Sequence, residues 1–201
     1  MEENTGIPVG VAACCYRDGG NVIAVTYPLS FPQATLAMCK RLGNSAILFG
    51  NQYDADHLLS PYDIAILKTQ NLIAVTEHRL HSVSIYEYLD GRVLSGRFLR
   101  KFGKEGTGDG ELIFPRGICE DIDGNLLVCD TSNSRVSQFN TDGEFIKHIF
   151  ISPPESVGVN EMPMEIACDK KNRHLAIVFG YLSKCIVRVF KYIEAPSASR
   201  A

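Results

Sequence analysis

FLRKFGKEGTGDGELIFPRGICEDIDGNLLVCDTSNSRVSQFNTDGEFIKHIF, residues 98–150, is cut by three turn signals into four short apolar runs. Pro115 opens the first run, Gly117 to Cys119. Asp123-Gly124 follows, a hairpin dipeptide in which Gly accepts the positive φ of a tight turn. Leu126 to Cys129 is the second run. Asp130-Thr-Ser-Asn-Ser134 is a polar turn whose short side chains hydrogen-bond their own backbone. Arg135 to Phe139 is the third run, Asp142-Gly143 a second hairpin dipeptide, and Phe145 to Phe150 the fourth run. The pattern predicts four antiparallel strands in a meander, the size of one propeller blade.

A lone blade leaves both of its faces bare, so stability requires copies. Pro115-Arg-Gly-Ile118 has counterparts in Pro8-Val-Gly-Val11, Pro61-Tyr-Asp-Ile64 and Pro163-Met-Glu-Ile166, at intervals of about 50 residues. Each proline is followed at a similar distance by a second apolar run: Val22 to Val25, Leu72 to Val75, Leu126 to Cys129 and Leu175 to Val178. Three copies add a third run ending in an aromatic residue, at Tyr86, Phe139 and Phe190. Asp90-Gly91 repeats Asp142-Gly143.

The central unit resembles the NHL repeat. The matching positions are Lys101-Phe-Gly103, Gly106 to Gly110, Phe114-Pro-Arg-Gly-Ile118, Asp123-Gly-Asn-Leu-Leu-Val-Cys-Asp130, Asn133-Ser-Arg-Val136, Phe139 and Asp142-Gly143. Over residues 58–102 the likeness is looser, with Val75-Thr-Glu77 in place of the usual Val-x-Asp. Val187-Arg-Val-Phe-Lys-Tyr192 is similar to the last blade of tripartite-motif and Brat-type NHL proteins, and Pro8 to Pro28 to a divergent blade of malin-like ones. The resemblance implies an all-β propeller of NHL type. Its units are expected at roughly 7–50, 58–102, 103–152 and 160–194, in one domain over 1–201.

Composition narrows the class. The 201 residues carry a formal net charge of −3, so no overall field draws the chain to nucleic acid. Charge is uneven: residues 1–91 hold 5 Lys/Arg against 9 Asp/Glu, and residues 92–201 hold 15 against 14. Lys170, Lys171, Arg173, Lys184, Arg188 and Lys191 form a local basic cluster, read as a solvated rim. The seven Cys show no CxxC or Cys/His ligand spacing and are read as reduced thiols in the cytoplasm, with Cys119 and Cys129 as small strand fillers. No signal peptide is expected behind the acidic Met-Glu-Glu-Asn start, and no run approaches the ~20 apolar residues of a membrane span.

Along the chain, strands are expected at Ile7 to Cys14, Val22 to Thr26, Ala34 to Lys40 and Ala46 to Phe49, with a helix over 33–42 as the alternative to the third. Pro28 and Pro32 interrupt any ladder between them. The second unit gives Ile64 to Leu67, Leu72 to Thr76, Val83 to Tyr88 and Arg92 to Phe98. The fourth gives Glu165 to Cys168, Leu175 to Phe179 and Cys185 to Tyr192, one strand fewer than the others. The tail after Tyr192 is small and polar. Four units predict a partial arc or a small ring, which self-association is one way to complete.

Four constellations are candidate sites. Gly103 to Gly110 is followed by a proline and a strand, not by the Gly-Lys-Ser/Thr or helix that a phosphate cradle needs, so it reads as a connector. His78 and His81 resemble part of the zinc-ligand repeat of NHL-type peptide-amidating lyases, with Arg135 at the place matching His81. Two histidines fall short of a zinc site, which leaves a metal-dependent lyase or hydrolase as the remote alternative, with no metal and no cofactor expected. Asp130 and Arg135 are assigned a structural ion pair, on the resemblance. Asp121, Asp123, Ser132 and Ser134 lack a catalytic partner or a nucleophile elbow, and no catalytic residue is assigned.

The fourth constellation is the residue after each anchoring proline: Val9, Tyr62, Arg116 and Met164. Innermost strands begin there, so these side chains are expected to ring one mouth of the propeller. In the tripartite-motif and Brat-type family that face grips single-stranded RNA or a protein. Tyr62 and Arg116 suit base stacking and phosphate pairing, and Arg100, Lys101 and Lys104 are candidates to widen the patch. The resulting expectation is a non-catalytic recognition module for a protein or single-stranded RNA, of the kind linked to ubiquitin-ligase substrate selection. A pure protein scaffold is the alternative.

Overall fold

The computed structural model describes residues 58–67, 70–87, 97–150, 161–180 and 185–192 in full. It describes the backbone alone of 10–15, 21–27, 35–40, 46–49, 88–89, 95–96, 151, 181 and 184. Val9, the 28–33 segment, the 51–57 connector, the Asp90-Gly91 turn, the 152–160 loop and the tail after Tyr192 lie outside the described residues.

The architecture is all-β. The first sheet runs β1 (Gly10–Cys15), β2 (Asn21–Tyr27), β3 (Thr35–Lys40) and β4 (Ala46–Phe49). The second runs β5 (Pro61–Leu67), β6 (Leu72–Glu77), β7 (Ser82–Leu89) and β8 (Ser95–Phe102). The third runs β9 (Pro115–Glu120), β10 (Leu126–Asp130), β11 (Arg135–Phe139) and β12 (Phe145–Ile151). The fourth holds three strands, β13 (Met162–Asp169), β14 (His174–Tyr181) and β15 (Lys184–Lys191). Every neighbouring pair is antiparallel and each sheet is a meander.

The innermost strands pack in chain order, β1 on β5, β5 on β9 and β9 on β13. The four sheets thus follow one another in chain order, as the blades of a propeller do. β10 shows why its sequence is continuously apolar. Strand side chains alternate between faces, and both faces of β10 are covered. Leu126 and Val128 enter a cluster with Leu67, Val83, Ile85, Leu112, Ile118 and Phe139 toward the second sheet. Leu127 and Cys129 enter another with Val136, Ile166, Leu175, Ile177 and Phe179 toward the fourth. Each fully buried aliphatic side chain of this kind contributes roughly 1.5–3 kcal/mol.

The turns follow their residues. Gly124 and Gly143 take φ +86° and +90°, the values their hairpins demand. Cys119, Cys129, Cys168 and Cys185 are free, and burial pushes the Cys119 and Cys129 thiols far above the usual range, so both serve as packing. No described helix is long and apolar enough to cross a membrane.

The third strand expected in the first unit lies at Thr35–Lys40, paired to both β2 and β4, and the helical alternative falls away. Two expectations are corrected. The outer strand of the second sheet lies at Ser95–Phe102 and not at 92–98, because Phe102 pairs with Val83 and packs its ring 5.0 Å from Phe139 of the next blade. The repeat register also shifts. β6 ends at Glu77, a 3-10 turn spans His78–Leu80, and His81 takes φ +53°. β10 ends at Asp130, a 3-10 turn spans Thr131–Asn133, and Ser134 takes φ +52°. His81 therefore matches Ser134, and Arg135 matches Ser82.

Candidate binding face

β5 and β9 start at a buried proline and β13 has one as its second residue, and the residue after each lies half-buried: Tyr62 on β5, Arg116 on β9 and Met164 on β13. The structure brings these three together. The Arg116 guanidinium lies over the Tyr62 ring, 5.2 Å from its centroid, and Arg116 Nη1 is 3.1 Å from Met164 Sδ. Two small contacts set this spacing. Thr76 Oγ1 accepts from Asp63 N at 3.0 Å and donates to Arg116 O at 2.7 Å, tying β5 to β9. Thr131 Oγ1 donates to Pro163 O at 2.8 Å, tying β10 to β13. Gly117 lets β13 come close, since a Cβ there would stand 2.6 Å from Glu165 Cα.

Three residues that the sequence reading left out of the face extend it. The His78 ring is 5.5 Å from Tyr62 and 5.0 Å from Phe114, and the His81 ring is 4.7 Å from Phe114. His81 Nδ1 accepts from Phe114 N at 3.1 Å, so the neutral ring carries its proton on Nε2. Phe114 is 39% exposed and holds φ +50°, a region that a bulky side chain rarely occupies. Its only sequence signal was its place directly before an anchoring proline.

Charge on this face is close to balanced. Beside Arg116, burial pushes the Glu165 carboxyl up to about 7, with Asp63 adding to the rise and Arg116 opposing it. Burial likewise raises Asp63, whose Oδ2 accepts from Ile118 N at 2.9 Å. Burial, then the Arg116 charge, holds His78 below the usual imidazole range. The three other candidate cations are tied elsewhere. Arg100 bonds Thr141 O and Asp142 Oδ1, both at 2.7 Å. Lys101 Nζ lies 2.6 Å from the fully buried Glu77, and Lys104 Nζ 3.2 Å from Glu111.

Asp130 and Arg135 form the expected ion pair, Nε to Oδ2 at 2.7 Å. Arg135 also donates to Thr107 O, Gly108 O and Glu111 O at 2.8, 2.9 and 3.0 Å, and Asn133 Nδ2 donates to Gly106 O at 2.9 Å. The glycine-rich loop thus wraps a cation with its carbonyls, the reverse of the N–H groups that would cradle a phosphate. Asp130 Oδ1 accepts from Ile113 N at 2.7 Å. Glu77 plays the matching part in the second blade, accepting from Leu59 N and Ser84 Oγ, both at 2.8 Å, with Lys101 as its cation.

No family model matches the chain. Among curated proteins, 45 residues are 60% identical to Protein lin-41 of Caenorhabditis elegans, covering 22% of this chain and 4% of that protein. A stretch of 52 residues is 48% identical to RING finger protein nhl-1 of the same organism, covering 26% and 5%. A longer stretch of 105 residues is 31% identical to E3 ubiquitin-protein ligase TRIM71 of Xenopus tropicalis, covering 51% and 12%. The chain therefore spans only a small part of each relative's length. Among solved structures, a chain of the nidogen/laminin complex aligns with TM-score 0.63 at 20% identity, over 89% of this chain and 59% of that one. A virginiamycin B lyase of Staphylococcus aureus aligns with TM-score 0.57 at 16% identity, over 96% and 58%. At these identities the structural likeness concerns the fold alone.

Proposed function

Because this chain is an NHL-repeat β-propeller, we propose that it acts as a non-catalytic recognition domain, with units at roughly 7–50, 58–102, 103–152 and 160–194, that grips a protein partner at the mouth around Tyr62, Arg116 and Met164. One observation carries this reading. Side chains from neighbouring blades form a continuous row of rings and one guanidinium at the rim, Met164–Arg116–Tyr62–His78–Phe114–His81. Aromatic and Arg anchors that are partly desolvated are the usual energetic centre of a protein interface. The names of two relatives, a RING finger protein and an E3 ubiquitin-protein ligase, support a link to ubiquitin-ligase substrate selection. Free thiols are in keeping with a cytoplasmic setting.

Charge favours protein over RNA. Asp63 and Glu165 stand beside Arg116, while Arg100, Lys101 and Lys104 are each spent on a carboxylate. Single-stranded RNA is the second reading, supported by the ring row as a stacking platform. The metal-dependent lyase or hydrolase, the remote alternative, would draw on His78 and His81, whose rings stand against Tyr62 and Phe114.

The test places a photocrosslinking amino acid at position 164 in cells, with and without Arg116→Glu, beside titration of mixed single-stranded RNA across a salt series. A discrete protein adduct lost in R116E is expected, with weak RNA binding that R116E leaves unchanged. Salt-sensitive RNA binding lost in R116E would put the RNA reading first. An adduct and RNA binding both indifferent to R116E would overturn the mouth as the site.

A further inference from the structure

Met164 sits where a thioether meets a guanidinium. Its side chain is half-buried on the bare backbone of Gly180, where a Cβ would stand 2.9 Å from Met164 Cγ and 3.4 Å from Sδ. The sulfur accepts from Arg116 Nη1 at 3.1 Å. A thioether is a weak acceptor for a group that carries a rigid fork of N–H donors. The guanidinium also lies over the Tyr62 ring and hydrogen-bonds its hydroxyl. Arg116 Nε, however, is buried without an acceptor among the described residues. The fork is therefore incompletely matched, and the atom set against it is one that chemistry can supply with an oxygen.

We propose that Met164 is an oxidant-responsive modification site at the mouth, converted by a hydroperoxide to a sulfoxide whose oxygen takes the N–H groups of Arg116. In this step a lone pair of Sδ attacks the hydroxyl oxygen of the peroxide. The S–O bond forms as the O–O bond breaks, and the departing oxygen takes the hydroxyl proton and leaves as water or an alcohol. The sulfur is oxidised and the peroxide reduced. Methionine sulfoxide reductases reverse the change.

Two consequences follow from the geometry. Arg116 Nη1 engages one lone pair of the sulfur, so attack proceeds through the other and one sulfoxide epimer forms in excess. The unbranched side chain then turns its new oxygen toward the fork. That oxygen is a stronger acceptor than the sulfur was, and it withdraws the guanidinium from any other ligand. Both steps take place within this chain, so a mouth that grips no protein partner would leave them standing.

The probes are hydrogen peroxide and phenylglyoxal, an arginine-directed reagent, applied to the purified 201-residue chain. Tandem mass spectrometry assigns the added oxygen to Met164 or to Met162. Portions of the oxidised chain are then treated with methionine sulfoxide reductase A or B, each of which acts on one epimer. In the native chain one reductase is expected to clear most of the Met164 sulfoxide and the other little of it. In the urea-unfolded chain the two serve equally, and folded Arg116→Leu loses the bias. Phenylglyoxal is expected to label Arg116 about threefold more slowly after oxidation, because a stronger acceptor holds the fork. Labelling of the exposed Arg79 is unchanged, and reduction restores the Arg116 rate. Met164→Leu, a volume-conserving change, makes Arg116 labelling indifferent to peroxide. That variant and the comparison of native with unfolded chain suffice should Arg116→Leu fail to fold. No oxygen on native Met164, equal epimers in the native chain, or a bias that persists in folded Arg116→Leu would overturn the proposal. So would Arg116 labelling that is unchanged or faster after oxidation.

Discussion

Arg135 Nε lies 2.7 Å from Asp130 Oδ2, with 10% of the arginine side chain and none of the aspartate reached by solvent. The same guanidinium holds three carbonyls of the loop before β9. One side chain therefore neutralises a buried charge and fixes the connector between two blades.

Arg135→Ala is expected to strand Asp130 in the interior and release the loop. Removing one partner of a buried pair costs roughly 3–5 kcal/mol, measured as a drop in urea midpoint. Arg135→Lys restores only part of this, because an ammonium lacks the planar fork that reaches several acceptors at once. The double change Asp130→Asn with Arg135→Met is expected to be more stable than Arg135→Ala. If Arg135→Ala unfolds at the wild-type midpoint, the clamp is not holding the blades.

Much of this fold is legible in the chain because a propeller repeats its instructions. Asp123-Gly124, Asp142-Gly143 and the anchoring prolines mark where strands turn and start. Legibility fails where the deciding partner is remote in sequence. The outer strand β8 reaches Phe102 because Phe139 and Gly143 of the next blade receive its ring, and Arg100 and Lys101 lie within that strand because Asp142 and Glu77 meet their charges. Nothing local to residues 95–102 announces those partners. Spacing aligns His81 with Arg135 because it does not show where the αL residue closes the 3-10 turn. Phe114 joins the face through rings on a different blade.

Gly117→Ala tests how tightly β9 and β13 are drawn together. The added methyl meets backbone atoms, Glu165 Cα at 2.6 Å and Ile166 N at 2.9 Å, which cannot rotate away. Overpacking of this kind costs typically 1–3 kcal/mol. Thermal unfolding should show the loss. A matching fall in any ligand binding at Arg116 is expected too, since the neighbouring Met164 must shift.

Glu165 predicts a pH dependence with a definite sign. Its carboxyl is raised to about 7 in the fold, chiefly by burial. The folded state then holds a proton that the unfolded state has released, so this group's stabilisation is present below the ordinary carboxylate range and is lost as pH rises through about 7. Asp63 is raised by burial and acts in the same direction, while His78, held low by burial, acts in the opposite one. Glu165→Gln isolates the term. Denaturant midpoints taken between pH 5 and pH 8 should fall more steeply for the wild type than for the variant. Parallel curves would show that Glu165 ionises normally.

Phe114→Gly separates binding from stability on the same face. Phenylalanine at φ +50° carries backbone strain of about 1 kcal/mol, which glycine does not. Against this relief stands the loss of ring contacts to His78 and His81, from a side chain already 39% exposed. The two effects oppose, so the unfolding midpoint is expected to move little, whereas Leu112→Ala, two residues earlier and fully buried, is expected to cost roughly 2–5 kcal/mol. The partner adduct captured from position 164 should nonetheless fall in the glycine variant, because the ring row is broken at its most exposed member. A glycine variant as unstable as Leu112→Ala would mean that Phe114 is a packing residue, and the face would then have to be redrawn around Tyr62 and Arg116 alone.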